Sequence, residues 1–206
     1  KIEIIFVDDQ STDKSMEVIK IFKKKIKIMQ TDKKMGKGSF NQTYAFLCGF
    51  NKSKGDVVFF LDSDDYFAKN KVKKIMNDFE KNNKYKIIFD LPIKKFFKKE
   101  IKINKKNLSF RNYWTYIPPT SCISIRRKYL SKIFKLVDTK LFPDIWLDFR
   151  IGIVAKYIWN NLNIKSEHLT YYRQLETNIS SNFNFLSVNW WRRRKEAHSY
   201  IKFFFI

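Results

Sequence analysis

Two apolar runs in this 206-residue chain end in carboxylates. IEIIFVDD closes on Asp8 and Asp9, and VVFFLDSDD closes on Asp62, Asp64 and Asp65. Both runs are rich in β-branched and aromatic residues and read as buried strands. Acids gathered at strand ends repel one another unless a cation lies between them or each finds its own hydrogen-bond donors. A hard divalent cation, Mg²⁺ or Mn²⁺, meets the first condition, because it takes a few oxygen ligands from protein and the rest from water and substrate phosphates. The pattern therefore points to a metal-bound diphosphate. The plainer alternative is that Asp62 to Asp65 make a turn and cap the helix that follows.

The elements that must position these acids alternate between strand and helix. QSTDKSMEVIKIF reads as a turn and a helix, with Ser11, Thr12 or Asp13 as cap and Val18, Ile19 and Phe22 facing inward. IKIM, 26–29, is a short strand. Gly36 and Gly38 then form a loop ahead of an apolar helix, suited either to a phosphate or to a plain turn. After LDSDD comes a helix with Val72, Ile75, Met76 and Phe79 on one face, and KIIFD, 86–90, is the next strand. This alternation predicts an α/β fold with a mostly parallel central sheet flanked by helices, in which ligands bind beyond the carboxyl ends of the strands.

IIFVDDQSTDKS, followed by the glycine-bearing loop, KGDVVFF and LDSDDYF, resembles the nucleotide-sugar-binding half of glycosyltransferase family 2, with its GT-A fold, over residues 2–90. The resemblance implies an inverting transferase that uses a nucleoside-diphosphate sugar, most simply a UDP-sugar, and a divalent cation, Mn²⁺ or Mg²⁺. It implies that Asp9 contacts the base with Asp8 in support, and that Asp62 and Asp64 form a D-x-D motif. Asp64 is then the principal metal contact, Asp62 lies by the ribose and the metal, and Asp65 anchors the loop or touches the sugar. Asn41 is assigned to the nucleotide pocket, although Phe40 stands where the family often has Arg. The strand that opens the family's fold is expected to be lacking, since the chain starts directly at the second.

The second half must supply a base. Displacement at an anomeric carbon needs a carboxylate to take the acceptor's proton while the metal stabilises the departing diphosphate. In LFPDIWLDFRIGI, the resemblance places that base at Asp144 or Asp148, which at i and i+4 can point to one side. The plainer reading makes one a helix cap and the other a partner of Arg150. PPTSCISIRRKYL reads as a strand and helix returning to the sheet, with Arg126 and Arg127 toward phosphate or, better, solvent. HLTYYRQLETNISSN resembles the family's closing strand and loop, with Tyr172 and Arg173 toward the diphosphate. His168 reads as structural, and the sequon at Asn178 as chance.

Composition sets the frame. A chain of 206 residues, 44% hydrophobic, suits a single domain. It divides into a nucleotide-sugar half (1–90), an acceptor half (91–180) and a basic aromatic tail (181–206). No apolar stretch approaches the roughly 20 residues of a membrane span, and no signal peptide opens the chain. Cys48 and Cys122 read as buried thiols rather than a disulfide or metal ligands. The expected location is the cytoplasm, at the inner face of the cell membrane.

The formal charge of +22 comes mostly from Lys spread along the chain, which suits either a compositional bias or an anionic partner. In NWWRRRKEAHSYIKFFFI, aromatic and basic residues together suit a membrane interface or a lipid-linked acceptor, or else a helix packed on the core. The expected partners are a nucleotide-sugar donor and a glycan or lipid-linked acceptor, in synthesis of surface polysaccharide. A receiver-like signalling module is disfavoured, because LDSDD is too acidic for a single phosphoacceptor and the chain is too long. A nucleic-acid-binding module is disfavoured because the aromatics lie inside apolar runs.

Overall fold

The computed structural model describes residues 1–97, 99–103, 116–137, 141–174 and 186–203. The sequon at Asn178 and the loop after Gln174 lie outside them.

The chain runs β1 (Ile5–Asp8), α1 (Ser15–Lys20), β2 (Lys27–Gln30), α2 (Gly38–Lys52), β3 (Val57–Phe59), β4 (Tyr66–Phe67), α3 (Lys71–Lys81), β5 (Ile87–Lys95) and β6 (Glu100–Lys102). It continues through a 3-10 turn at Thr120–Cys122, β7 (Ile123–Arg126), α4 (Arg127–Val137), α5 (Leu147–Ile153) with a π-helical extension at Val154–Ile158, β8 (Asn163–Arg173) and α6 (Val188–Phe203).

The expected α/β architecture is present, and its strands form two sheets among the described residues. β1 and β2 pair in parallel, with Asp8 opposite Gln30. The larger sheet has the order β3-β7-β5-β8-β4, with β6 on β5. There β5 and β8 are parallel, whereas β3–β7, β5–β7, β4–β8 and β5–β6 are antiparallel. The sheet is thus mixed rather than mostly parallel. A strand buried on both faces is apolar whichever way it points, so the sequence of β7 carries no sign of its direction.

The small sheet is tied to the start of β3 by Glu3. Its carboxylate accepts the N–H groups of Lys54 and Gly55 and pairs with Lys27 at 2.9 Å. These donors, the Lys54 N–H above all, hold it down at a pKa of about 2. Helix α2 lies close over β1, where a Cβ on Gly49 would stand 3.0 Å from Val7.

The main core gathers Phe60, Ile87, Phe89, Ile123, Ile125 and Ile151. On the other side Ile75 and Phe79 of α3 meet Ile88 and Leu169, as the helical stripe predicts. Each such side chain contributes about 1.5–3 kcal/mol through its burial. Helix α1 departs from expectation: it buries none of its residues, and Val18 and Phe22 are exposed. Its N-cap is Lys14, with no side-chain cap, rather than Ser11, Thr12 or Asp13; the Asp13 carboxylate only accepts the N–H of Ser15 from outside the helix, at 2.9 Å. The strand at 57–61 ends early, at Phe59. Phe60 remains buried while Leu61 is 43% exposed, so the chain turns off the sheet where the acids begin.

Candidate active site

Asp8 and Asp9 close β1 and are anchored at the end of β2. Asp8 is buried; its Oδ2 accepts the Ser11 N–H at 3.1 Å and the Gln30 amide at 2.8 Å. Asp9 Oδ1 accepts the Thr31 hydroxyl at 3.0 Å. Gln10, at φ 56, lies in the left-handed region and donates to the Thr31 carbonyl. For a non-glycine residue that conformation is uncommon and must be held by its surroundings. The glycine loop is a turn with Gly36 at φ +80, and Asn41 Oδ1 accepts the N–H of Met35 at 2.6 Å. Asn41 thus holds the loop that leads into α2.

The LDSDD segment forms a turn, closed by the Asp65 N–H on the Asp62 carbonyl at 3.1 Å. The Asp62 N–H donates to Ser121 Oγ at 2.9 Å, and Asp62 Oδ1 accepts from Gln42 at 3.0 Å. Asp65 is buried and its Oδ1 accepts the Arg173 N–H at 3.0 Å. The Arg173 guanidinium donates to the Asp64 carbonyl, so Arg173 braces the backbone of the turn at the end of β8.

The turn's charges are not balanced. Burial pushes the Asp62 carboxyl up to about 7; the Gln42 amide opposes this, while Asp65, Asp148 and Asp64 add to it. Burial likewise raises Asp65 to about 6, against the Ser121 hydroxyl and the Arg173 N–H, and Asp65 Oδ2 is buried with no hydrogen-bond donor. Such a set suits a cation. Among the described residues no three His, Cys, Asp or Glu side chains group to hold one by themselves.

The two candidate bases part company. Asp148, in the first turn of α5, accepts the Phe149 N–H at 2.7 Å. Burial raises its pKa, against the Arg193 charge and that N–H. Its charge reaches Asp62 and Tyr116, whose hydroxyl is held protonated by burial and by Cys122, Asp148 and Tyr172. Asp144 instead faces α6, where its Oδ2 meets Arg192 at 2.5 Å and its N–H donates to Glu196 at 2.8 Å. Arg150 is buried, donates to the carbonyls of Ile145 and Phe142, and lies 5.4 Å from the Tyr200 ring. It props the 141–145 loop.

Other expectations divide. Arg126 and Arg127 turn to neither phosphate nor solvent: Arg126 donates to the carbonyls of Tyr85 and Phe79, and Arg127 to Ser53. They clamp the ends of α3 and α2. His168 is structural, bonded to the Ile103 carbonyl at 3.0 Å, and both cysteines are free thiols, Cys122 buried. Gln42, Ser121 and Tyr116 are site residues that the motifs did not point to. For Gln42 a signal existed, since buried Ser39 and Thr43 put a polar stripe on the inner face of α2.

This arrangement, acids at the ends of β1 and β3 with a further acid on α5, accompanies a match of the sequence model of glycosyl transferase family 2 to residues 1–134. The chain belongs to glycosyl transferase family 2. It is 32% identical over 189 residues to an uncharacterized glycosyltransferase of Nostoc sp., covering 84% of this chain and 55% of that protein. It is 34% identical over 88 residues to the poly(ribitol-phosphate) beta-N-acetylglucosaminyltransferase TarP of Staphylococcus aureus, covering 42% of this chain and 26% of that one. The chain spans about half the length of the Nostoc relative.

The GT-A fold of this family 2 chain is shared with S. aureus TarS 1-349. The TM-score is 0.61 at 14% identity, covering 97% of this chain and 71% of that one. For the same protein in complex with UDP the TM-score is 0.58 at 15% identity, covering 84% and 51%.

Proposed function

We propose that this family 2 glycosyltransferase moves a sugar, with inversion, from a UDP-sugar to a glycan or lipid-linked acceptor of surface polysaccharide, with Asp148 as the base. The observation that carries this reading is that Asp148 shares an electrostatic neighbourhood with Asp62, while Asp144 is taken up by Arg192. The UDP complex of the TarS neighbour supports the choice of nucleotide.

In this reading Asp9 and Asp8 hold the base from the end of β1, and Asn41 fixes the loop beside it. Asp64 with Asp62 holds a divalent cation, Mn²⁺ or Mg²⁺, whose bound charge would offset that of the departing diphosphate. Asp65, bound through Arg173, keeps the turn in place by the sugar. Asp148 takes the proton of the acceptor hydroxyl, whose oxygen forms the new bond to the anomeric carbon as the bond to the diphosphate breaks on the opposite face. Burial raises the proton affinity of Asp148, which makes it a better base than a solvated carboxylate.

The tail reading extends to a membrane surface. Ala197 and Tyr200 of α6 pack with Ile145 and Ile153, while Val188, Trp191, Arg192, Lys195 and Lys202 are exposed. An aromatic and basic face of this kind suits an anionic bilayer at the inner face of the cell membrane.

The deciding experiment is calorimetry of UDP with and without Mn²⁺, followed by assays of UDP-sugar turnover. Binding that needs the metal and is lost in Asp64→Asn supports the reading, and metal-independent binding that survives this change overturns it.

A further inference from the structure

Lys71, the first residue of α3, and Asp90 of β5 are both fully buried, with Nζ 2.7 Å from Oδ1. An ammonium carries three protons. Two of them are donated to the Ser121 carbonyl at 2.6 Å and to Thr170 Oγ1 at 2.7 Å, and the contact with Asp90 Oδ1 is an ion pair. The Thr170 hydroxyl donates in turn to Asp90 Oδ2 at 2.6 Å, and the ammonium lies 4.2 Å from the centre of the Phe67 ring.

A buried ion pair is a weak source of stability, since well-packed apolar replacements are often neutral or better. What distinguishes this one is where it holds the chain. Ser121, gripped by its carbonyl, uses its hydroxyl oxygen to accept the Asp62 N–H, and Phe67 stands two residues beyond Asp65. The ammonium therefore fixes the chain on both sides of the carboxylate turn, from beneath it.

We propose that the buried Lys71–Asp90–Thr170 network positions the Asp62–Asp65 turn through Ser121, and so sets the geometry in which the turn meets the donor diphosphate. The second half of this statement rests on the donor-site reading above. Lys71, Asp90 and Thr170 are positioning residues that act through Ser121. A side chain free of this restraint would leave Ser121 and the Asp62 N–H less fixed, and small misplacements of a site are costly.

The test compares wild type with the double variant Lys71→Met, Asp90→Asn, and with Thr170→Val and Thr170→Ser. Carboxyl resonances of Asp62 and Asp65 in ¹³C-aspartate-labelled protein report the turn, and UDP affinity with Mn²⁺ reports its use. The double variant and Thr170→Val are expected to shift these resonances and to weaken UDP by about tenfold or more, while Thr170→Ser keeps the wild-type values. If the double variant does not fold, the Thr170 pair carries the decision. Resonances that stay in place overturn the proposal whatever UDP does. Resonances that move, in a protein whose wild type shows no UDP binding with Mn²⁺, uphold the positioning of the turn and remove the donor-site reading instead.

Discussion

Asp148 of α5 adds its charge to the burial that raises Asp62 of the turn after β3, and each of the two is held above the ordinary carboxylate range chiefly by burial. They are 86 positions apart in the chain, yet packing brings the charge of one to bear on the other.

The base assignment follows from that pair. Asp148→Asn should lower turnover about 10²–10⁴-fold with UDP binding retained, because the amide keeps the shape and loses the proton acceptor. Asp144→Asn should leave turnover near wild type, since its carboxylate faces the exposed Arg192. Product formation by both variants, beside calorimetry, separates the roles, and the reverse order of effects would reassign the base.

The pH dependence of stability has a defined sign. Asp62 in the folded chain titrates near 7, against an ordinary value of 3.8, so the folded state holds the proton more tightly than the unfolded one. The stability this contributes is fully present below about pH 4 and is lost as pH rises toward 7. Melting curves between pH 5 and 8 should show wild type losing ground to Asp62→Asn, with the gap at pH 8 at least about 2 °C. Parallel curves at all pH values would refute it.

Gln42 is the group that opposes the rise in Asp62. Gln42→Leu removes a hydrogen bond to a carboxylate, which is worth about 1.5–3 kcal/mol. The pH midpoint for metal-dependent UDP binding should then move upward by about one pH unit. A midpoint unmoved from wild type would show that Gln42 does not tune the turn.

Gly152 tests the packing behind the base. A Cβ there would run into Ile117 Cδ1 and lie 2.7 Å from Ile117 Cγ1 and Cγ2, with Gly152 buried and Ile117 half-buried. Gly152→Ala should destabilise the fold by about 1–3 kcal/mol through overpacking, read as a lower midpoint in urea. Wild-type stability would mean that Ile117 moves aside at no cost.

The sequence by itself determined the pieces that depend on local patterns. The apolar strands ending in acid, the α3 stripe of Ile75 and Phe79, and the β7–α4 return were all legible, because burial of one face imposes a period on the residues. The family was legible too, because VDD and LDSDD stand in the family's order, with the glycine-bearing loop and KGDVVFF between them. The exposed α1 was misread, since a hydrophobic stripe records only that a face is able to bury.

Tertiary structure alone decided the rest. Asp144 and Asp148 are equivalent acids four residues apart, and only the packing tells them apart: Arg192 of α6 pairs directly with Asp144, while Asp148 is raised by burial, feels Arg193 only as a charge and acts on Asp62. Lys71 reads as one more lysine in a chain of many, and Asp90 as the end of a strand. Their pairing is a contact between α3 and β5, together with Ser121 and Thr170 from two further segments. Charges and hydrogen bonds act over a few ångströms in space, whatever the separation along the chain, so which donor meets which acid is settled when the elements pack.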